Sequence, residues 1–421
     1  MKSRRHFVRD LGIGAGAVSL APLAGAAAAA RVVIVGGGFA GASCARALRE
    51  FAPAIQVTLV EPKKTYTACP FSNLVIAGQR GLAQQEFDYR GVVRSGVEVL
   101  HRSAVDIDPV GRRVRLDDGA ELAYDRLVVA PGIEIRWGAL EGYDEAAAER
   151  MPHAWQAGAQ TLLLRRQLEA MPDGGLAVIA APAAPYRCPP GPYERASLIA
   201  AYLKRAKPRS KLLILDAKDS FSKKPLFMQG WKQLYGDLIE WQGASDGAAP
   251  AAVDAGGMRL LTDFDEFRPD VANVIPPQRA GFIARRADLS DASGWCPIVA
   301  RSFESTRQPG IHVIGDAAIA NAMPKSAFAA NAQGKLCAVQ VARLLAGEEP
   351  VDTTLLNTCY SYVDTDYAIS VAGVYRPQGD SWRSLDGAGG TSPLDADADA
   401  RRREADYAAD WFDTITGQVF G

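Results

Sequence analysis

The sequence predicts an α/β protein with two parallel-sheet units, the first interrupted by the second, and a small α+β domain at the carboxyl end. Three observations carry this. Arg31-Val32-Val33-Ile34-Val35 is a short apolar run that enters Gly36-Gly37-Gly38-Phe39-Ala40-Gly41 and then a helical stretch, Ala42 to Phe51, the strand, glycine turn and helix of a nucleotide-binding fold. A second strand, helix and strand follow at Leu176 to Ala180, 195–206 and Lys211 to Asp216, an alternation that builds another parallel sheet. From about Val351 the character changes to a segment with Tyr360, Tyr362, Tyr367 and Tyr375, a polar loop over 387–400 and a closing helix around 405–412.

A chain of 421 residues with 48% hydrophobic content has room for two or three domains. The boundaries expected are 31–142 with 272–350 for the first unit, 143–271 for the second, and 351–421 for the terminal domain. The net charge of −1 offers no basic stripe for nucleic acid or an anionic membrane. Residues 1–30 carry Arg4-Arg5 ahead of a mild apolar run that ends in alanines, which predicts twin-arginine export, with its folded cargo, to the periplasm. Past that segment no stretch is apolar and long enough to span a bilayer.

All six cysteines (Cys44, Cys69, Cys188, Cys296, Cys337, Cys359) lie beyond it, and an oxidising compartment permits disulfides among them. None forms a Cys-x-x-Cys pair, and only His101, His153 and His312 accompany them. The chain is therefore expected to hold neither metal nor a c-type haem of its own.

In the first unit, Gly36 serves the tight turn, Gly38 the close approach of a pyrophosphate, and Gly41 the packing of helix on strand, with the helix amino end adding a favourable dipole. Glu61, ending the strand Val57 to Val60, stands where an acid accepts hydrogen bonds from ribose hydroxyls. The second unit lacks such a turn. Its first strand runs instead into Ala181-Pro182-Ala183-Ala184-Pro185-Tyr186-Arg187-Cys188-Pro189-Pro190-Gly191-Pro192, where prolines remove the amides a phosphate would need. Asp216 is either a relic ribose acceptor or a plain strand-end aspartate. NAD(P)H is not expected as the electron donor, and a cysteine occupies the loop instead.

Three further segments specify the nucleotide of the first unit. Tyr124 to Gly132, Ile311 to Ala317 with Asp316, and Pro324-Lys325-Ser326 opening a helix through Ala338 resemble the crossing turn, the late strand and the late helix of glutathione-reductase-like flavoproteins with two dinucleotide-binding domains. That resemblance implies FAD, with Gly132, Asp316, Lys325 and Ser326 among its contacts and the helix amino end stabilising negative charge on the reduced ring.

More specifically, Thr67-Ala68-Cys69-Pro70-Phe71-Ser72-Asn73, Arg187-Cys188-Pro189-Pro190-Gly191-Pro192-Tyr193-Glu194 and Thr358-Cys359-Tyr360, together with the flavin segments, resemble the flavoprotein subunit of flavocytochrome c sulfide dehydrogenase, a relative of sulfide:quinone oxidoreductases. The resemblance extends over the whole chain beyond the targeting segment. It implies a redox-active Cys188–Cys359 disulfide that sulfide attacks, with electrons passing to FAD and then to a separate c-type cytochrome subunit. It implies covalent attachment of FAD through Cys69. Glu194 fits two readings, a proton acceptor beside the cysteines or an acid that merely starts a helix. Cys44, Cys296 and Cys337 read as core thiols, with a Cys296–Cys337 bridge as an alternative. Two other functions share most of these features: a sulfide:quinone oxidoreductase, and a flavin-bearing redox sensor or docking subunit without turnover.

Overall fold

The computed structural model describes residues 29–421; residues 1–28 of the expected targeting segment lie outside the described residues. The first unit is a five-stranded parallel sheet in the order Ile311–Val313, Arg126–Val129, Arg31–Val35, Gln56–Val60, Glu98–Leu100. Its central strands are nearly all valine, isoleucine and leucine because helices and loops cover both faces of a parallel sheet. The first helix, Phe39–Phe51, crosses the late helix Ala327–Leu345 very closely: a Cβ on Gly334 would lie 2.3 Å from the Ala40 carbonyl oxygen. Small residues at the crossing permit this approach. The late helix continues beyond Ala338, the end expected from the sequence.

The second unit is a four-stranded parallel sheet ordered Ile239–Gln242, Lys211–Asp216, Leu176–Ala181, Val271–Val274. The expected boundary at 271/272 is corrected, since it would cut the last strand, whose Ala272, Asn273 and Val274 pair with Val178, Ile179 and Ala180. The helix expected from Arg195 begins at Gly191 and runs to Ala206. Pro192 fits its first turn because the missing amide has no helical acceptor there. The two crossings between units are tied by the antiparallel pair Ile133–Ile135 and Gln278–Ala280, where Glu134 bridges Arg279 and Arg285 at 2.8 and 2.7 Å.

The terminal domain is an antiparallel sheet of Leu355–Asp364, Tyr367–Gln378 and Ser381–Ser384, followed by the helix Ala398–Phe420. That helix is longer than the stretch 405–412 expected. The aspartates read as a solvated loop turn out to start it: Asp397 accepts from the Ala400 amide at 2.7 Å, an N-cap, and Asp399 sits in the first turn. Phe412 stacks on Phe71 at 4.6 Å and Phe420 on Phe87 at 5.4 Å, fastening the domain to the first unit.

All six cysteines are free thiols, and Cys296 and Cys337 are not bridged. Cys337 neighbours Cys44 instead, across the close helix crossing; burial and its hydrogen bond to Cys44 push its thiol up. Among the described residues no helix is long and apolar enough to cross a membrane, and no group of three metal-ligating side chains occurs.

Candidate functional site: a flavin cavity with two thiols

Residues of all three domains line a cavity of about 340 Å³. At one end lies the glycine turn. Gly36 has φ 101°, and a Cβ there would lie 2.3 Å from the Ala130 oxygen; a Cβ on Gly41 would lie 1.9 Å from the oxygen of Gly36. No side chain caps the helix that Gly38 opens, so its first amides are free for a phosphate. Glu61 closes this end, accepting from the amides of Gly37 at 2.8 Å and Lys63 at 3.0 Å.

The middle is set by Gly132 and Asp316, both in the lining. Asp316 Oδ1 is buried without a hydrogen-bond partner, and burial pushes its carboxyl up against the opposing pull of Arg187 and Lys325. A buried acceptor facing a cavity calls for a donor from a ligand. Ser326 lines the cavity, and its hydroxyl accepts from the Ala329 amide at 3.1 Å, capping the late helix. Lys325 departs from expectation: it lies outside the lining, and its Nζ donates to the carbonyls of Asp316 and Ala318 at 2.7 and 2.9 Å over the Trp295 ring. Its work is to hold the turn that presents Asp316. A narrow backbone cradle, an acid near the ribose position and an orphaned acceptor further along fit FAD.

At the far end stand the two cysteines, from the second unit and the terminal domain. Cys188 occupies a left-handed backbone position, φ 58°, held by its amide donating to the Lys325 carbonyl at 2.7 Å and its carbonyl accepting from Gly191 at 2.8 Å. Burial pushes its thiol up, as do Glu194 and Cys359, while Arg187 and Lys223 oppose. Cys359 is half-buried and also lines the cavity. Its Sγ accepts from Asn357 Nδ2 at 3.3 Å, and Asn357 in turn accepts from Ser326. Glu194 is a cavity residue rather than a surface one: Asn73 donates to Oε2 at 2.7 Å and the Tyr362 amide to Oε1 at 3.0 Å, and burial pushes its carboxyl up. Cys69 lies alongside, its Sγ 3.8 Å from the Trp155 carbonyl.

Several working residues carry no signal in the sequence. Arg195 is only 2% exposed; it donates to Asn73 Oδ1 at 3.0 Å, Asn273 Oδ1 at 2.8 Å, and the carbonyls of His153 and Ala154 at 2.9 and 2.6 Å. It thereby fixes Asn73, the partner of Glu194. Arg187 and Trp155 bind each other's carbonyls, pinning the Cys188 loop. Following Glu194 on a helix, Arg195 reads as an ordinary surface cation, and only its surroundings reveal the hub.

In the second unit the acid at the ribose-acceptor position is already engaged within the protein. Asp216, fully buried, accepts from Tyr193 at 2.6 Å, Trp241 at 3.0 Å and Lys218 at 2.5 Å, so the strand-end aspartate is a structural acceptor. Tyr193 stacks on Phe221 with ring centres 3.5 Å apart beside it.

Comparison with known proteins agrees with this geometry. Residues 30–165 match the pyridine nucleotide-disulphide oxidoreductase model, 161–276 the central domain of the sulfide dehydrogenase [flavocytochrome c] flavoprotein chain, and 351–420 the flavin-binding domain of flavocytochrome c sulphide dehydrogenase. The sulfide dehydrogenase [flavocytochrome c] flavoprotein chain of Chlorobaculum thiosulfatiphilum is 64% identical over 45 residues, 11% of this chain and 94% of that sequence. Mouse mitochondrial sulfide:quinone oxidoreductase is 23% identical over 310 residues, 68% of this chain; the chain spans 65% of its length. The sulfide:quinone oxidoreductase structure from Aquifex aeolicus superposes with a TM-score of 0.70 at 17% identity, covering 93% of this chain and 92% of that one. With the central stretch that bears Cys188 and the flavin-binding terminal stretch both matched, the chain is a flavoprotein related to the sulfide:quinone oxidoreductases that carries two domains of the flavocytochrome c sulfide dehydrogenase flavoprotein type.

Proposed function

We propose that this chain oxidises sulfide through Cys188 and Cys359 and passes the electrons, by way of FAD, to a separate c-type cytochrome subunit. The observation that carries the reading is that those two cysteines, from different domains, both line the cavity of the dinucleotide turn. In the oxidised pair, hydrosulfide attacks one sulfur; a sulfur–sulfur bond forms to that cysteine, the Cys188–Cys359 bond breaks, and the other cysteine leaves as thiolate. Glu194, with its carboxyl raised and facing Cys188, accepts the persulfide proton. Loss of two electrons then restores the disulfide and frees zero-valent sulfur. FAD, when bound, supplies the acceptor for that electron pair. Gly36, Gly38, Gly41, Glu61, Gly132, Asp316 and Ser326 would hold it. Export to the periplasm, resting on Arg4-Arg5, places the chain where such a cytochrome and an oxidised cysteine pair occur.

Anaerobic titration of the flavin-loaded protein with sulfide tests this. Bleaching of the visible flavin bands by sulfide, with no bleaching by NADH, is expected, followed by reduction of added cytochrome c. Bleaching with transfer to a quinone analogue but to no cytochrome would move the acceptor assignment to quinone. No bleaching at all would leave a flavin-bearing sensor or docking subunit.

Cys69, which lines the same cavity, is the residue proposed to carry FAD, by a thioether to the 8α carbon of the ring. After acid denaturation the yellow colour is expected to stay with the polypeptide, and in Cys69→Ala to pass into the supernatant. Release of all the colour from the unaltered chain rules the linkage out.

A further inference from the structure

Lysines are seldom buried unless their ammonium is satisfied. Lys223, 6% exposed, precedes the helix Lys224–Tyr235 of the second unit in a left-handed conformation, φ 64°, and belongs to no motif. Its side chain reaches out of its own unit. Nζ donates to the Cys359 carbonyl at 2.9 Å, Ser361 Oγ at 2.9 Å and the Ile369 carbonyl at 3.4 Å, all on the first two strands of the terminal sheet. Three donors are thus used, and no carboxylate is among the acceptors. A lysine retained for ion pairing would meet an acid; this one keeps its charge for something else.

The titratable groups that face it are Cys359, Glu194, Cys188 and Glu404. Glu404 is occupied by Arg401, Ser370 and Ser392. Glu194 is occupied by Asn73 and by the Tyr362 amide at 2.7 and 3.0 Å. Arg187 is the other cation acting on Cys188, and Tyr375 is a further titratable neighbour of Cys359. What the ammonium is left to neutralise is negative charge on sulfur.

We propose that Lys223 is the electrostatic positioning residue of the sulfur pair: it fixes the Cys359 strand against the second unit and stabilises the thiolate released when a nucleophile opens the Cys188–Cys359 bond. The proposal rests on the disulfide reading above. In that step one negative charge travels from the entering hydrosulfide to the leaving cysteine sulfur, so a single fixed cation serves both approach and departure. Burial draws the ammonium down to about 8. It is therefore charged at neutral pH, and its help fades as pH rises through that value.

The test is the pH profile of iodoacetamide alkylation of the flavin-loaded protein after reduction with dithiothreitol, read separately at Cys188 and Cys359 by peptide mapping. Lys223→Gln is expected to move the lower of the two midpoints up by about one pH unit, roughly a tenfold slower reaction at pH 7, with Lys223→Arg restoring most of the parent profile. An unchanged profile in folded Lys223→Gln overturns the proposal. So does the parent alone, whatever the variants do, if both its thiols react with midpoints above the ordinary value of about 8.5. Alkylation needs no sulfide, which separates the two failures. A shifted profile in a protein whose flavin sulfide cannot bleach removes the substrate reading and keeps Lys223; bleaching with an unshifted profile does the reverse.

Discussion

Replacing Cys188 by serine is expected to slow reduction of the flavin by sulfide at least roughly a thousandfold, as loss of an attacked or attacking sulfur does elsewhere, while the flavin content of the protein stays near that of the parent. A hydroxyl cannot form the sulfur–sulfur bond that the first step breaks. The geometry says why the fold should survive. The left-handed turn at Cys188 is held by backbone, through the Lys325 carbonyl and the Gly191 amide, and by the Arg187 amide on Gln278 Oε1 at 3.0 Å. None of these bonds uses the sulfur. Holding a non-glycine residue in that region costs on the order of 1 kcal/mol, and such outliers persist where the surroundings over-determine them, often at functional sites. Stopped-flow mixing of anaerobic variant and sulfide, monitored in the visible flavin bands, measures the effect. Parent-like bleaching in Cys188→Ser would show that sulfide delivers its electrons without the cysteine pair.

The second large effect belongs to the opposite end of the cavity. Gly41→Ala is expected to produce protein with little or no bound flavin and a marked loss of soluble yield. The added Cβ would sit 1.9 Å from the oxygen of Gly36, a backbone atom of the turn itself. Helix and strand must then separate, and overpacking of this kind costs about 3 kcal/mol or more where no flexible side chain can give way. Gly38→Ala is the control. There the nearest neighbour of a new Cβ is the edge of the Tyr66 ring at 3.4 Å, an ordinary contact, so its effect should be confined to the approach of the phosphate. Absorbance ratios of purified protein at the flavin and aromatic bands separate the two variants. Full flavin content in Gly41→Ala would mean that the helix tolerates displacement.

The contrast between these two sites reflects what is local and what is not. The glycine turn was legible because its constraint is written in consecutive residues: a buried strand, three glycines at fixed spacing, then a helix. The same holds for the prolines that displace a second phosphate turn and for Glu61 at its strand end. Element ends were less legible. The helix expected from Arg195 in fact opens at Gly191, with Pro192 in its first turn, and the aspartates before Ala398 looked like a loop although Asp397 is a cap, because a cap and a solvated turn use the same residue types. Lys325 matched a motif whose spacing is local, but its side chain answers to the carbonyls of Asp316 and Ala318 rather than to the cavity.

By itself the sequence determined the two nucleotide-type units, the residues of the first dinucleotide turn, the absence of such a turn in the second unit, and the identity of the six cysteines. Each follows from short-range pattern, since backbone conformation and apolar periodicity are imposed by neighbours. Only the tertiary structure decided that Cys188 and Cys359 share a cavity, that Cys337 neighbours Cys44, that Arg195 steadies Asn73 beneath Glu194, and that Lys223 crosses from one domain to hold the strand of another. Those contacts join residues far apart in the chain, where no periodicity links them. A lysine in Ser222-Lys223-Lys224 or an arginine after Glu194 reads as solvent-facing until the packing of three domains withdraws the solvent, and with it the screening that would have made the charge inconsequential.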